Sequence, residues 1–275
     1  MSNIDTYEQN LERRLAELRN GDPAYELHKL AITEAIIFSH DQHGYTHTPR
    51  ILDCGCGLGF LTASLAKGDV MKIEGIDPSK RSIELAKEEH SDVSFWHSSA
   101  ESFPQIMKDN NIELYDQAIL NMVLHSVDDE SVKRILGALQ SCIRPEGAVI
   151  ITVPEQGWII QKLVEYAQDQ GMDKKTGLRW IEEQFFQDKI TIPVKIRGGE
   201  YYPEPLTLYN RTIDDYGGIL RSQGYGVPLD TYSGETREKI SSKIIPYWII
   251  DDYFAGAELS LVKDRELLIS FALQE

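Results

Sequence analysis

The residues best placed to do chemistry follow a short apolar stretch in the first third of the chain. Asp53 closes that stretch, and Gly55, Gly57 and Gly59 come after it at alternate positions. Glycine allows a ligand to approach the backbone closely, and a helix starting just beyond would point free N–H groups into the same crevice. The pattern therefore predicts a site for a flat, polar or charged molecule at the end of the first strand.

A second acidic residue narrows the class of ligand. Asp77 ends the next apolar stretch, and in doubly wound sheets a carboxylate about 20 residues beyond the glycine turn accepts hydrogen bonds from ribose hydroxyls. The turn departs from the dinucleotide fingerprint G-x-G-x-x-G, because Phe60 stands where its third glycine belongs. The charge of Asp53 would repel a pyrophosphate but would suit a sulfonium or an amino group. We therefore expect a positively charged nucleoside.

The D-x-G-x-G-x-G arrangement from Asp53 to Gly59 resembles the first motif of class I S-adenosylmethionine-dependent methyltransferases. Further stretches are similar to later motifs of that family, in the same order: 75–79, 95–104, 115–125, 144–147 and 209–225. The resemblance covers residues 50–155 and extends more weakly to the end of the chain. It implies S-adenosylmethionine as the cofactor and methyl transfer as the reaction.

The resemblance also assigns residues to parts of the cofactor. Asp77 would bind the ribose, Pro78 would lie near the adenine, and the main chain near Asn121 would lie beside the methionine part. Ser99 stands where family members often carry an acidic residue, so its hydroxyl and the two amides that follow would serve the adenine ring. The expected cofactor-binding residues are Asp53, Gly55, Cys56, Gly57, Gly59, Asp77, Pro78, Ser99, Ala100, Glu101, Asn121 and Met122.

His125 is the candidate catalytic residue, because it follows the fourth predicted strand, near the expected methyl group. In-line transfer mainly needs an acceptor held about 3 Å from that group, and it needs a base only if the acceptor is protonated. His125 is either that base or a hydrogen-bonding support of the turn, and both roles stay open.

Two specialised types of methyltransferase are excluded by the sequence. Amino-group methylases carry Asn/Asp-Pro-Pro-Tyr/Phe after the fourth strand, whereas here Met122 follows Asn121. Pyrimidine C5 methylases need a nucleophilic cysteine beside the donor, whereas Cys142 lies in a predicted helix near the fifth strand.

The acceptor is expected between the N-terminal helices and an aromatic insertion after the fifth strand. The predicted acceptor-binding residues are Tyr25, His28, Tyr201, Tyr202 and Arg211. Each has a packing alternative, because the N-terminal helices can pack through the first pair, aromatic residues can form the core of the insertion, and arginines commonly form exposed ion pairs.

Alternation of apolar strands with helices predicts an α/β fold, a Rossmann-like doubly wound, mostly parallel sheet of seven strands. The predicted strands of the sheet are 50–54, 72–76, 93–97, 117–122, 148–153, 227–232 and 266–273, the last antiparallel, with a turn at 144–147. The predicted parts are an N-terminal helical cover (1–49), a cofactor-binding core (50–155), an inserted cap (156–210) and the C-terminal part of the core sheet (211–275).

The composition of the chain limits the classes of molecule that the protein is expected to bind. The 275 residues carry a formal charge of −16, which would repel phosphate backbones and anionic lipid, so neither nucleic acid nor membrane is expected. The three cysteines and the histidines His40, His43 and His47 lack the further ligands of a metal site, so no metal is expected. A polar amino terminus without features of a signal peptide indicates a cytoplasmic protein.

Three functions remain after these exclusions. The first is a methyltransferase that acts on a small-molecule acceptor. The second is an enzyme of the same fold that uses the donor for other chemistry, such as cyclisation of the aminobutyryl arm or a pericyclic step. The third is a non-catalytic partner subunit. The intact glycine turn, with Asp53 and Asp77, favours an active enzyme.

Overall fold

The computed structural model describes residues 11–19, 23–42, 46–67, 70–154, 156–193, 201, 205–226 and 267–274. The helices in these ranges are α1 Leu11–Arg19, α2 Pro23–Gln42, α3 Phe60–Ala66, α4 Lys80–Glu89, α5 Phe103–Asn110, α6 Asp129–Gln140, α7 Gln156–Asp169, α8 Lys174–Phe185 and α9 Ile213–Ser222. The strands are β1 Arg50–Cys54, β2 Lys72–Asp77, β3 Ser94–His97, β4 Tyr115–Asn121, β5 Ile143–Pro154, β6 Lys189–Ile192, β7 Leu206–Tyr209, β8 Tyr225–Gly226 and β9 Leu267–Gln274. A 3₁₀ turn, Leu124–Ser126, follows β4.

Seven of these strands form one sheet, in the order β3-β2-β1-β4-β5-β9-β8. β1 to β5 are parallel, whereas β9 pairs antiparallel with both β5 and β8. In β4 every residue except the last is buried, as in a central parallel strand. The chain reverses direction across the sheet between β1 and β4, and ligands of doubly wound folds bind beyond the carboxyl ends of the strands at such a point. The predicted fold class is confirmed.

Two of the described strands agree closely with the prediction. β1 has the predicted bounds, and β9 is antiparallel as expected. The predicted sixth strand, 227–232, lies outside the described residues, and the described neighbour of β9 is β8, just before it.

The turn predicted at 144–147 is wrong as a strand boundary, because β5 already begins at Ile143. Tyr115 pairs with Ile143 and Gln117 pairs with Ala148, so that one residue of β4 faces four residues of β5. The Pro-Glu-Gly sequence therefore forms a bulge inside the strand, and pairing with β4 resumes beyond it.

Helix α5 is missing from the sequence prediction. Its described buried residues are Phe103 and Met107, and one four-residue interval is too little to reveal a helical period. Pro104 in the first turn is a helix-start signal. That signal could have found the helix.

The two faces of the sheet pack against different helices. On one face, side chains of α5, α6 and α9 meet the strands in a core that includes Phe103, Leu136 and Leu220. On the other face, α2 and α3 supply Ile36 and Leu61 to a separate core. Both faces are therefore covered, as a largely parallel sheet requires.

The predicted cap contains a hydrophobic core of its own. Leu163 of α7, Phe185 of α8 and Ile190 of β6 are buried together there. β6 and β7 form a separate two-stranded antiparallel sheet over this core. The described residues of this core are separate from those of the cores that pack on the large sheet. The role of the cap as a cover for the acceptor stays a prediction.

Helix α2 extends into the segment that carries the histidines His40, His43 and His47. It runs to Gln42, so His40 is helical, and the His40 Nε2 lies 2.9 Å from the His47 carbonyl oxygen. His43 lies outside the described residues. In the described ranges, no cluster of three or more His, Cys, Asp or Glu side chains is arranged to hold a metal ion. None of the described helices has both the length and the apolar character needed to cross a membrane.

Candidate active site

The glycine turn joins the carboxyl ends of β1 and β2. The backbone N–H groups of Gly55 and Cys56 donate to the carbonyl oxygen of Ile76, at 2.8 and 3.0 Å. The Gly59 N–H then donates to the Cys56 carbonyl at 3.0 Å, which closes the turn just before α3. Backbone hydrogen bonds therefore fix much of the turn, and the Asp77 carboxylate adds one more by accepting the Gly57 N–H.

Gly55 and Gly59 are required by packing as well as by backbone conformation. Their φ angles are +84° and +74°, in the left-handed region that favours glycine. A Cβ on Gly55 would lie 2.5 Å from Val123 Cγ2, and a Cβ on Gly59 would lie 2.5 Å from Phe95 Cζ. These glycines therefore let β3 and the loop after β4 approach the turn, a reason that sequence analysis did not provide.

Asp77 is oriented by two backbone donors. Its Oδ2 accepts the Gly57 N–H at 2.9 Å, and its Oδ1 accepts the Ser79 N–H at 2.8 Å. The residue is 7% exposed. Because each carboxylate oxygen can accept more than one hydrogen bond, the predicted contact with ribose hydroxyls can be added to these bonds.

Asp53 is a buried carboxylate, and only one of its two oxygens accepts a hydrogen bond from the described residues. Its Oδ2 accepts a 2.6 Å hydrogen bond from the Thr62 hydroxyl, and its Oδ1 is buried without a hydrogen-bond partner among the described residues. Burial raises the pKa of Asp53 to about 7, with the Thr62 bond opposing and the charge of Asp77 adding to the effect. A nearby positive charge would favour the ionised form, so this carboxylate suits a cationic ligand group.

The segment after β3 carries the expected adenine contacts. The Ser99 carbonyl accepts the Ser102 N–H at 3.2 Å, and the Ser99 hydroxyl lies 3.2 Å from the Ser102 hydroxyl. Ala100 is buried, whereas Pro78 and Glu101 are exposed. These three residues and Ser99 stay predicted ligands.

The loop after β4 contains a strained residue where the methionine part of the donor is predicted. Met122 has φ of +56°, which is unusual for a residue with a long side chain, and such residues cluster at functional sites. The Met122 N–H donates to the Thr152 carbonyl at 3.1 Å, and the Thr152 hydroxyl donates to Asn121 Oδ1 at 2.6 Å. Thr152 is not among the residues predicted from the sequence, although a threonine inside an apolar strand is a signal that could have found it.

His125 lies in the 3₁₀ turn and is 7% exposed. Its Nδ1 is buried, with no hydrogen-bond partner among the residues that the structure describes. Burial and, secondly, the positive charge of Arg211 lower the pKa of His125 to about 4. The imidazole is therefore neutral at neutral pH, and whether it acts as a base stays a prediction.

Arg211, predicted to bind the acceptor, lies against the same turn. Its guanidinium donates to the carbonyl oxygens of Leu124 and Val127 at 2.8 and 2.7 Å. Its Nε also donates to Asp129 Oδ1 at 2.8 Å. The side chain is 6% exposed.

The other predicted acceptor residues are placed only in part. The Tyr201 hydroxyl donates to the Asp169 carboxylate, and its ring lies 5.4 Å from that of Tyr166. Tyr25 and His28 belong to α2, but their side chains lie outside the described part of the structure, as does Tyr202. The structure therefore brings together, at the ends of β1 to β4, the residues predicted to bind S-adenosylmethionine. The residues predicted to bind the methyl acceptor stay predictions.

The fold and the glycine turn define a class I S-adenosylmethionine-dependent methyltransferase. A family model described as a methyltransferase domain matches residues 5–189, and the chain belongs to this family. The match confirms the resemblance found in the sequence.

One curated relative was found by sequence comparison. The mitochondrial ubiquinone biosynthesis O-methyltransferase of Dictyostelium discoideum is 25% identical over 115 residues, which are 38% of this chain and 34% of that protein. The chain thus matches about a third of the length of this relative.

Solved structures share the fold at low sequence identity. Magnesium protoporphyrin IX methyltransferase from Synechocystis PCC 6803, with bound S-adenosylhomocysteine, has a TM-score of 0.56 and 13% identity, and the alignment covers 99% of both chains. The 1,6-didemethyltoxoflavin-N1-methyltransferase of Burkholderia thailandensis has a TM-score of 0.53 and 12% identity, with 98% of this chain and 86% of that chain covered. At these identities the likeness establishes the fold.

Proposed function

We propose that this protein transfers the methyl group of S-adenosylmethionine to a small-molecule acceptor. The observation that carries the proposal is Oδ1 of Asp53, which is buried beside the glycine turn and has no hydrogen-bond partner in the described part of the chain. A buried ionised oxygen without a partner is costly. The ammonium group of the donor's amino acid would supply the missing partner and would hold Asp53 in its charged form.

The remaining donor contacts follow from the ends of the strands. Asp77, held by the Gly57 and Ser79 amides, presents its carboxylate oxygens to the ribose hydroxyls. The main chain at Asn121 and Met122, fixed by Thr152, lies beside the methionine part. The bound donor supplies an activated methyl group on a positively charged sulfur.

The chain's own contribution is mainly to position the acceptor. His125, with a pKa of about 4, is a weak base at neutral pH. It therefore suits an acceptor that needs no strong base, such as an unprotonated amine, a thiolate, a phenolate or an enolate, which a neutral imidazole can orient through a hydrogen bond.

Three observations support a small-molecule acceptor. The net charge of −16 disfavours nucleic acid. The relatives, by their names, act in ubiquinone biosynthesis or on magnesium protoporphyrin IX and 1,6-didemethyltoxoflavin. The cap, with its own core, stands where an acceptor cover is predicted.

Isothermal calorimetry tests the donor site. We expect S-adenosylhomocysteine to bind with measurable heat and NADH to give none. Heat with NADH and none with S-adenosylhomocysteine would overturn the proposal at its base.

A labelling experiment tests the reaction. The protein is incubated with methyl-labelled S-adenosylmethionine and a metabolite extract, and products are identified by mass spectrometry. We expect the label on a low-molecular-mass compound. Release of methylthioadenosine would instead indicate cyclisation of the aminobutyryl arm, and donor binding without any product would favour a partner subunit.

A further inference from the structure

Arg211 occupies the junction between the cap and the core. It lies two residues after the end of β7, the last described strand of the cap, and two residues before α9, which packs on the large sheet. Its side chain is 6% exposed although it carries a permanent charge. A charge buried in this way requires partners that use most of its donors.

Those partners bracket His125. The Nη1 group of Arg211 donates to the carbonyl oxygen of Leu124, and the Nη2 group donates to that of Val127. Leu124 is the first residue of the 3₁₀ turn, directly before His125, and Val127 is the residue that follows the turn. Because both ends are held by one rigid guanidinium, the turn cannot shift without breaking a charge-assisted hydrogen bond.

Three further contacts fix the guanidinium itself. Its carbon lies 5.0 Å from the ring centroid of Tyr209 and 5.5 Å from that of Tyr216. Tyr209 is the last residue of β7 and Tyr216 lies on α9, so the planar group contacts aromatic rings from both flanking elements. Asp129, at the start of α6, pairs with Nη2 at 2.7 Å.

We propose that Arg211 is a positioning residue, which ties the turn carrying His125 to the cap strand β7, rather than a ligand for the acceptor. The proposal rests on the proposed function, because His125 matters here as the residue that orients the acceptor. A cap that moves on acceptor binding would then pull on the turn through this side chain.

A lysine would keep the charge but cannot contact both carbonyl groups in the fixed geometry of a guanidinium. This difference separates the effect of the charge from the effect of the paired hydrogen bonds. Arg221 of α9 is exposed, so Arg221→Gln removes the same charge from an exposed position and serves as the matched control.

The test measures backbone amide exchange over residues 121–129 and the NMR titration of the His125 imidazole, assigned with His125→Gln. In Arg211→Gln we expect exchange over 121–129 to be at least about 10-fold faster, while 50–77 keeps its protection. We also expect the pKa of His125 to rise from about 4 towards the ordinary value, because both burial and the neighbouring charge decrease.

The conservative variant sharpens the result. Arg211→Lys should show the same faster exchange as Arg211→Gln but a smaller rise in the pKa of His125, and Arg221→Gln should match the wild type in both measurements. Wild-type exchange and titration in a folded Arg211→Gln or Arg211→Lys protein would overturn the proposal. Loss of protection throughout the chain in both variants would also overturn it, since Arg211 would then be a general stabiliser.

The outcome is separable from that of the proposed function. Binding of S-adenosylhomocysteine to the wild type is measured by calorimetry on the same samples. Absence of binding would defeat the proposed function, whereas the exchange and titration results decide the role of Arg211 without any acceptor or donor.

Discussion

The donor side and the cap of this protein are built in different ways. On the donor side, single polar groups have defined partners: Asp77 accepts from Gly57 and Ser79, and Asp53 accepts from Thr62. The cap instead has a small apolar core formed with two helices and the antiparallel pair β6 and β7. A ligand site made of individual hydrogen bonds specifies its ligand, whereas a core of aliphatic residues specifies mainly a shape.

The difference teaches why the donor could be inferred and the acceptor class only proposed. Backbone turns and carboxylates constrain the chemistry of a ligand directly. Apolar packing in the cap constrains the shape of that part of the protein, but not the chemistry of the acceptor. Variants of the two regions should therefore separate stability from donor binding.

The largest effect is expected in the cap core. Phe185 is fully buried there, and Phe185→Ala should destabilise the protein by about 3–5 kcal/mol with little change in affinity for S-adenosylhomocysteine. The measurements are denaturant unfolding and calorimetry. Phe186 is the matched control, because it is 54% exposed and its truncation should cost far less. A large loss of donor affinity in folded Phe185→Ala would show that the two regions are not independent.

Gly55→Ala should lower both the stability of the protein in denaturant unfolding and its affinity for S-adenosylhomocysteine in calorimetry. The added Cβ meets Val123 at 2.5 Å in a left-handed conformation, which should cost about 2–4 kcal/mol from strain and overpacking and weaken donor binding. A Cβ added to Gly218 in α9 would have nothing within 4 Å, so Gly218→Ala should stabilise by up to about 1 kcal/mol. Equal thermal shifts in the two variants would contradict the crowding argument.

Asp53→Asn should increase the stability of the protein at pH 8 and weaken its binding of S-adenosylhomocysteine. The folded pKa of about 7 lies above the ordinary 3.8, so the folded state binds the proton more tightly and the free energy of unfolding falls as pH rises from about 4 to about 7. The neutral amide avoids this loss, and we expect a gain of about 1–3 kcal/mol at pH 8 with little change at pH 4. Donor affinity should fall about 10-fold or more, since the ammonium loses its partner. A variant that binds S-adenosylhomocysteine as well as the wild type would remove Asp53 from the donor site.

The smallest effect is expected for Tyr201→Phe. It removes a hydroxyl that donates to Asp169 at a half-buried position, so stability should change by about 1 kcal/mol or less and donor affinity should stay unchanged. Once an acceptor is known, a rise in its KM would support the predicted acceptor contact, and an unchanged KM would make Tyr201 part of the cap frame.

Much of the donor side could be predicted because its signals are local. The strand, the alternate glycines and Asp77 lie close together in the sequence, and their types demand a turn and a polar ligand. The Thr212 capping box with Asp215 is local in the same sense, because its two members lie three residues apart.

The contacts that could not be predicted join residues far apart in the chain. Arg211 reaches back to Leu124 and Val127, and Thr152 reaches Asn121. No spacing rule connects such positions, because their proximity follows from strand order and helix packing. The crowding of Gly55 by Val123 is hidden for the same reason, although the glycine itself was found.

The pairing of β5 with β9 has a consequence for how the protein is made. Pro154 lies opposite Leu267, so β5 stays an open edge until the ribosome has synthesised all the chain between them and β9 has docked. An open edge offers unpaired N–H and C=O groups to other nascent chains. Lower expression levels should therefore raise the soluble yield, because fewer open edges are present at the same time, whereas rapid overexpression should favour aggregates seeded at that edge.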